Sequence, residues 1–134
     1  MKISSFLLSC CLLTVSFFSS AQDKYDPLAK CYEVTANEPR TAVQACLLDE
    51  LKLTEQQMNV IYDKSKSDLE DTDSVAAKGA IDALASSQQH FIQFRSAECQ
   101  RQSSLLMGGS GAGDVLLACE IKLNQWRAKV LLNN

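Results

Sequence analysis

The residues with the most chemistry to offer in this chain are its cysteines, its single histidine and two arginines set among aromatic residues. Cys10 and Cys11 lie in an apolar leader. Cys31, Cys46, Cys99 and Cys119 remain, and four thiols can ligate a metal, attack an electrophile or close into disulfides. There is no CxxC pair, and His90 is the only histidine, so the set suits zinc poorly. An even count in a small exported domain points instead to two disulfides, with three possible pairings. We expect Cys31–Cys46 and Cys99–Cys119, because each would join neighbouring helices across one connection. Oxidised cysteines leave no thiolate nucleophile. His90 has no Ser or Asp at an obvious partner spacing and is expected to face solvent. Asp49/Glu50 and Glu70/Asp71 are adjacent in sequence, which sends the members of each pair to different sides of a helix. Gly108 to Gly113 holds four glycines in six residues but lacks the Lys-Ser/Thr ending of a phosphate-binding loop. It reads as a flexible connector. No catalytic constellation emerges, and no cofactor or metal is expected.

Gln88, Phe91, Arg95 and Arg127 sit differently. From Ser87 to Cys99 nothing stops a helix, and Phe91, Ile92 and Phe94 follow Ile81 and Leu84 on one helical face. Arg95 lies four residues after Phe91 and four before Cys99, close to that face. A buried guanidinium needs partners, since an unpaired buried charge is very costly. Arg95 is therefore expected to tie its helix to a neighbour through Glu98, Glu120 or an acid of the second helix. Gln88 is read in the same structural way. Arg127, beside Trp126, could stack on an aromatic surface.

The elements that position these residues are all helical. Asp26-Pro27 reads as an N-cap with Pro at the first position, opening a short helix to about Ala36. A second helix begins near Glu38-Pro39-Arg40 and turns Val43, Cys46, Leu47 and Leu51 inward. Thr54 with Gln57 has the form of a capping box, which either starts a third helix or marks a bend in one long helix. Asp73 or Ser74 is expected to cap a helix from Val75 to about Ser104, and Asp114 a last one with Leu116, Cys119, Leu123, Trp126 and Val130 as its stripe. No stretch alternates long enough for a strand. The expected fold is all-α, a small bundle of four or five helices stapled by two disulfides.

Residues 1–21 carry one lysine, an apolar serine-rich run too short for a good membrane span, and Ser19-Ser20-Ala21 at the end. They read as a secretory signal peptide cleaved before Gln22. Leu7-Leu8-Ser9-Cys10 has the residue types of a lipid-modification box, but leaves too few apolar residues before the cysteine. The remainder, 22–134, is a single domain by length. The whole chain carries 13 bases and 16 acids, net −3, and loss of Lys2 leaves 12 against 16, or −4. No block of like charge suggests nucleic acid, and no transmembrane span is expected. An acidic exported protein is biased towards basic partners.

Taken together, Ser87-Gln88-x-x-Phe91-x-x-Phe94-Arg95-x-x-Glu98-Cys99, then Gly108-Gly109-Ser110, Cys119, Arg127 and Leu131, resemble the LprI family. Cys31, Cys46 and Met58-Asn59-x-x-Tyr62 fit the same pattern. Phe91 stands where that family usually has Trp, Ser96 where it has an acid, and Asn124 where Thr is common. The resemblance implies a small exported bacterial protein of the lysozyme-inhibitor type, periplasmic or secreted, with lysozyme as protein partner. Another envelope component, as for an immunity or envelope-stress protein, is the alternative. The patterned residues look structural, so the partner surface is expected on less patterned segments: the acidic turn Asp68, Glu70, Asp71 and Asp73, or the loop carrying Gly109 and Ser110.

Overall fold

A computed structural model describes residues 25–133. The leader expected over residues 1–21 lies outside the described residues. Four helices follow one another: α1 (Pro27–Val34), α2 (Thr41–Glu70), α3 (Ala77–Ser104) and α4 (Ala112–Leu132). No strand occurs among the described residues.

Local chemistry explains most helix ends. Asp26 Oδ1 accepts from the Leu28 amide at 3.1 Å and Pro27 fills the first helical position, so α1 starts where its cap dictates. The Thr35 hydroxyl donates to the Cys31 carbonyl at 2.7 Å and helps end α1 at Val34, two residues before the expected end. α2 is one continuous helix of 30 residues. Thr54 does not cap a new one; its hydroxyl donates back to the Leu51 carbonyl at 3.0 Å, and neither Gly nor Pro interrupts the run. α3 begins at Ala77 rather than Val75, because Ser74 spends its side chain and carbonyl on a turn, accepting from the Ala76 and Ala77 amides.

α4 departs most from expectation. It opens at Ala112, so Asp114 sits inside its first turn instead of capping it. Asp114 is buried and accepts from Arg40 Nη2 at 2.7 Å. The buried face runs through Leu117, Ala118, Ile121, Asn124, Arg127 and Leu131, and shares only Cys119 with the expected stripe. Leu116, Leu123 and Val130 are half-buried and Trp126 is 52% exposed. The reason is position: α4 touches α1, α2 and α3, and its inner face admits polar residues that have partners across the bundle.

The two disulfides are Cys31–Cys46, joining α1 to α2, and Cys99–Cys119, joining α3 to α4. The tightest apolar core lies around the first of them, where Cys31, Val43, Leu47, Leu117, Ala118 and Ile121 pack together. α1 is further held by the Asp26–Lys122 ion pair at 3.2 Å and by the pairing of Lys30 with Glu50. Lys30 and the Tyr25 hydroxyl together hold the Glu50 carboxyl below its ordinary range. α3 runs antiparallel to both α2 and α4. The turn after α2 and the loop after α3 therefore occupy opposite ends of a bundle about 45 Å long, at about 1.5 Å per residue of α2.

Candidate functional site

Gln88, Phe91, Arg95 and Arg127 form a polar seam between the helices. Arg95 Nη1 donates to Asn124 Oδ1 at 2.6 Å and pairs with Glu55 of α2 at 2.9 Å. An acid of the second helix is thus its partner. Glu98 instead takes two bonds from Arg101 and one from Gln102, which hold its half-buried carboxyl down to about 2. Arg127 Nε donates to Gln88 Oε1 at 2.9 Å and its Nη2 to Ser87 Oγ at 3.0 Å, with the guanidinium 5.6 Å from the centre of the Phe91 ring. No carboxylate among the described residues reaches it, and burial lowers its affinity for a proton, partly offset by Tyr62. Phe91 in turn lies 6.1 Å from Trp126. These contacts tie α2, α3 and α4 together, and Gln88 and Arg127 are only 7% and 6% exposed. The seam is structural in geometry.

The enzymatic alternatives gain little. His90 does have a serine within reach, contrary to the sequence reading: Ser86 Oγ lies 3.4 Å from Nδ1, one helical turn away. The pair is exposed, and among the described residues no acid is bonded to the ring as the third member of a hydrolytic triad. Among the described residues no three His, Cys, Asp or Glu side chains are grouped to hold a metal. No helix among them is long and apolar enough to cross a membrane.

The two segments proposed as partner surfaces cannot act as one site, since they lie at opposite ends. At the far end, Asp68 is bonded by Lys64 at 2.8 Å and Glu70 by Lys66 at 3.5 Å, both one turn apart and exposed. Such pairs are worth only about 0.3–0.5 kcal/mol but do neutralise the local field. Asp71 and Asp73 have no base within 4 Å among the described residues.

At the near end, the glycine-rich loop, expected from its composition to be a flexible connector, closes on itself through hydrogen-bonded turns. The Gly109 amide donates to the Leu106 carbonyl at 2.8 Å and the Ala112 amide to the Gly109 carbonyl at 2.9 Å. Ser103 Oγ reaches across to the Ala112 carbonyl at 2.8 Å, and Arg40 Nη2 contacts the Ser110 carbonyl at 3.4 Å. Arg40 also stands 5.8 Å from the centre of the Tyr32 ring, which places the end of α1 beside this loop. Sequence reasoning picked out Gly109 and Ser110 but missed their neighbours. Leu105 and Met107 are 67% and 94% exposed, and Met107 adopts φ +49°. The available signal was Leu-Leu-Met placed after the last turn of α3, where no helical face remains to bury it.

Two grooves complete the surface. An apolar one of about 400 Å³, lined by Val60, Ile61, Leu84 and Leu131 among others, lies where α4 stops short of the α2–α3 hairpin. A second lies between α2 and α3, beside Tyr62 and Gln88.

The family model for the lysozyme inhibitor LprI matches residues 31–131, from the first disulfide cysteine to the last buried leucine. No curated protein and no solved structure matches the chain. The matched span covers both disulfides, the whole polar seam and the closed loop, and on that ground the chain belongs to the LprI lysozyme-inhibitor family.

Proposed function

We propose that the protein is an exported, non-enzymatic inhibitor that binds a basic muramidase in the bacterial envelope and blocks it. Beyond the family, the observation that carries this reading is the distribution of unpaired charge. Eight ion pairs take eight of the fifteen carboxylates between residues 25 and 133, leaving seven without a base. Of the eleven bases in the same span three are left, and one of those, Arg127, is buried. The solvent-facing remainder is seven acids against Lys52 and Lys129. A surface so biased steers cationic proteins towards it and repels acidic ones. A bundle held by two disulfides presents that surface without ordering cost on binding.

The test is a titration of oxidised protein, residues 22–134, into a c-type lysozyme, following cell-wall lysis and binding heat at low and physiological salt. Saturable one-to-one inhibition that weakens as salt rises is expected. No binding at micromolar concentrations would overturn the reading.

A further inference from the structure

Resting on that reading, we infer that the inhibitory surface is the end of the bundle formed by the α3–α4 loop and the end of α1. Met107 is the residue that enters the partner, and the partner is a basic protein with an apolar recess.

Four observations converge on this end. First, Leu105, Leu106 and Met107 are three consecutive exposed apolar residues, and Arg40, which contacts the Ser110 carbonyl, brings the exposed ring of Tyr32 to the same end. Contiguous exposed apolar surface on a small protein marks an interaction site more often than scattered residues do. Second, Met107 holds φ +49° and Gly108 φ +77°. A left-handed conformation suits Gly108 but costs a methionine roughly 1–2 kcal/mol. That cost is met by fixed surroundings, and it points the side chain outward into solvent. Third, the loop is preorganised. The Cys99–Cys119 disulfide, the Ser103–Ala112 bond and the Arg40–Asp114 pair fix both of its ends. Methionine is a flexible, polarisable filler of irregular apolar recesses, and a rigid loop can deliver it at little entropic cost. Fourth, Glu33 and Glu38 flank Arg40 and Tyr32 in the same segment and have no base within 4 Å among the described residues. An apolar knob at the end of the bundle that also carries these uncompensated carboxylates complements an apolar recess with a basic rim. An enzyme that acts on a polysaccharide offers a concave cleft into which an exposed apolar side chain can enter. The opposite tip offers Asp71 and Asp73 but only one exposed apolar residue in its turn, Val75.

Three variants, titrated into the same c-type lysozyme, test the inference. Met107→Asn removes the apolar tip, and asparagine tolerates the left-handed conformation, so melting should occur at or above the wild-type temperature while inhibition weakens at least tenfold. Glu33→Gln with Glu38→Gln should slow association about threefold at low salt, with the difference vanishing at high salt. Asp71→Asn with Asp73→Asn should leave affinity within about twofold of wild type at physiological salt. If wild type inhibits but Met107→Asn inhibits equally well, the surface is wrong and the inhibitor reading stands. If the Asp71/Asp73 variant is the one that fails, the far tip is the surface. If wild type itself does not bind, both the reading and the inference fall.

Discussion

Removing both disulfides is expected to cost this domain a large share of its stability. Cys31–Cys46 and Cys99–Cys119 close loops of 15 and 20 residues. In the chain-entropy account each is worth about 3 kcal/mol, so together they supply about 6 kcal/mol. Domains of this size hold only about 5–15 kcal/mol in all. The two bonds should not fail alike. α1 is eight residues long and buries only Pro27 and Cys31 of its own. Without Cys31–Cys46 it keeps the packing of Leu28, the Tyr25–Glu50 bond and two surface ion pairs, little for a helix of this length, so the Cys31→Ala/Cys46→Ala variant should lose α1 locally while the three long helices persist. Cys99→Ala/Cys119→Ala removes the staple between α3 and α4 and should lower the whole transition by roughly 10–20 °C. Melting followed by circular dichroism, with and without reductant, reads both effects. A reduced protein that melts within a few degrees of the oxidised one would contradict this account.

The second large effect is expected at Asn124. Its side chain is fully buried, its Oδ1 accepts from Arg95 at 2.6 Å, and its Nδ2 faces the Thr54 hydroxyl at 3.5 Å. One amide thus links α2, α3 and α4. Asn124→Ala leaves Arg95 with Glu55 alone, although Arg95 Nε is already a buried donor without an acceptor. A lost hydrogen bond to a charged group costs about 1.5–3 kcal/mol, and the small cavity adds to it, so about 3 kcal/mol is expected. Asn124→Thr keeps an oxygen on the same side chain and should cost at least about 1 kcal/mol less than Ala. Urea denaturation of the two variants measures the difference. An Asn124→Ala protein within about 0.5 kcal/mol of wild type would show that Arg95 finds its partners elsewhere.

The contrast between α2 and α4 shows what a one-dimensional pattern can carry. Val43, Leu47 and Met58 repeat at helical spacing in a run without breakers, so α2 and its inner face were legible, and only the Thr54–Gln57 pattern suggested a break. In α4 the apolar residues lie on more than one side, because three helices surround it. The face that is buried is marked by Asn124 and Arg127, residues that a search for apolar stripes passes over. Their partners are Thr54, Arg95 and Gln88, 29 to 70 positions away in the sequence, and only the fold brings them within reach. In α3 the spacing overstated the core: Phe91 is buried, but Ile92 and Phe94, one and three residues later, are exposed. A helix packed chiefly against one neighbour cannot turn all three inward. The disulfide pairing was legible because each bond spans one short connection. The loop was legible as a loop, since its glycines are unmistakable. The bonds that close it were not, because they depend on Ser103 and Arg40 meeting the carbonyls of Ala112 and Ser110 across it.

The most direct measurement is hydrogen–deuterium exchange of the oxidised protein, alone and saturated with a c-type lysozyme. Slower exchange over residues 32–40 and 105–111, with residues 70–76 unchanged, is the predicted result. Protection confined to residues 70–76, or no protection anywhere at saturating concentration, would contradict the account.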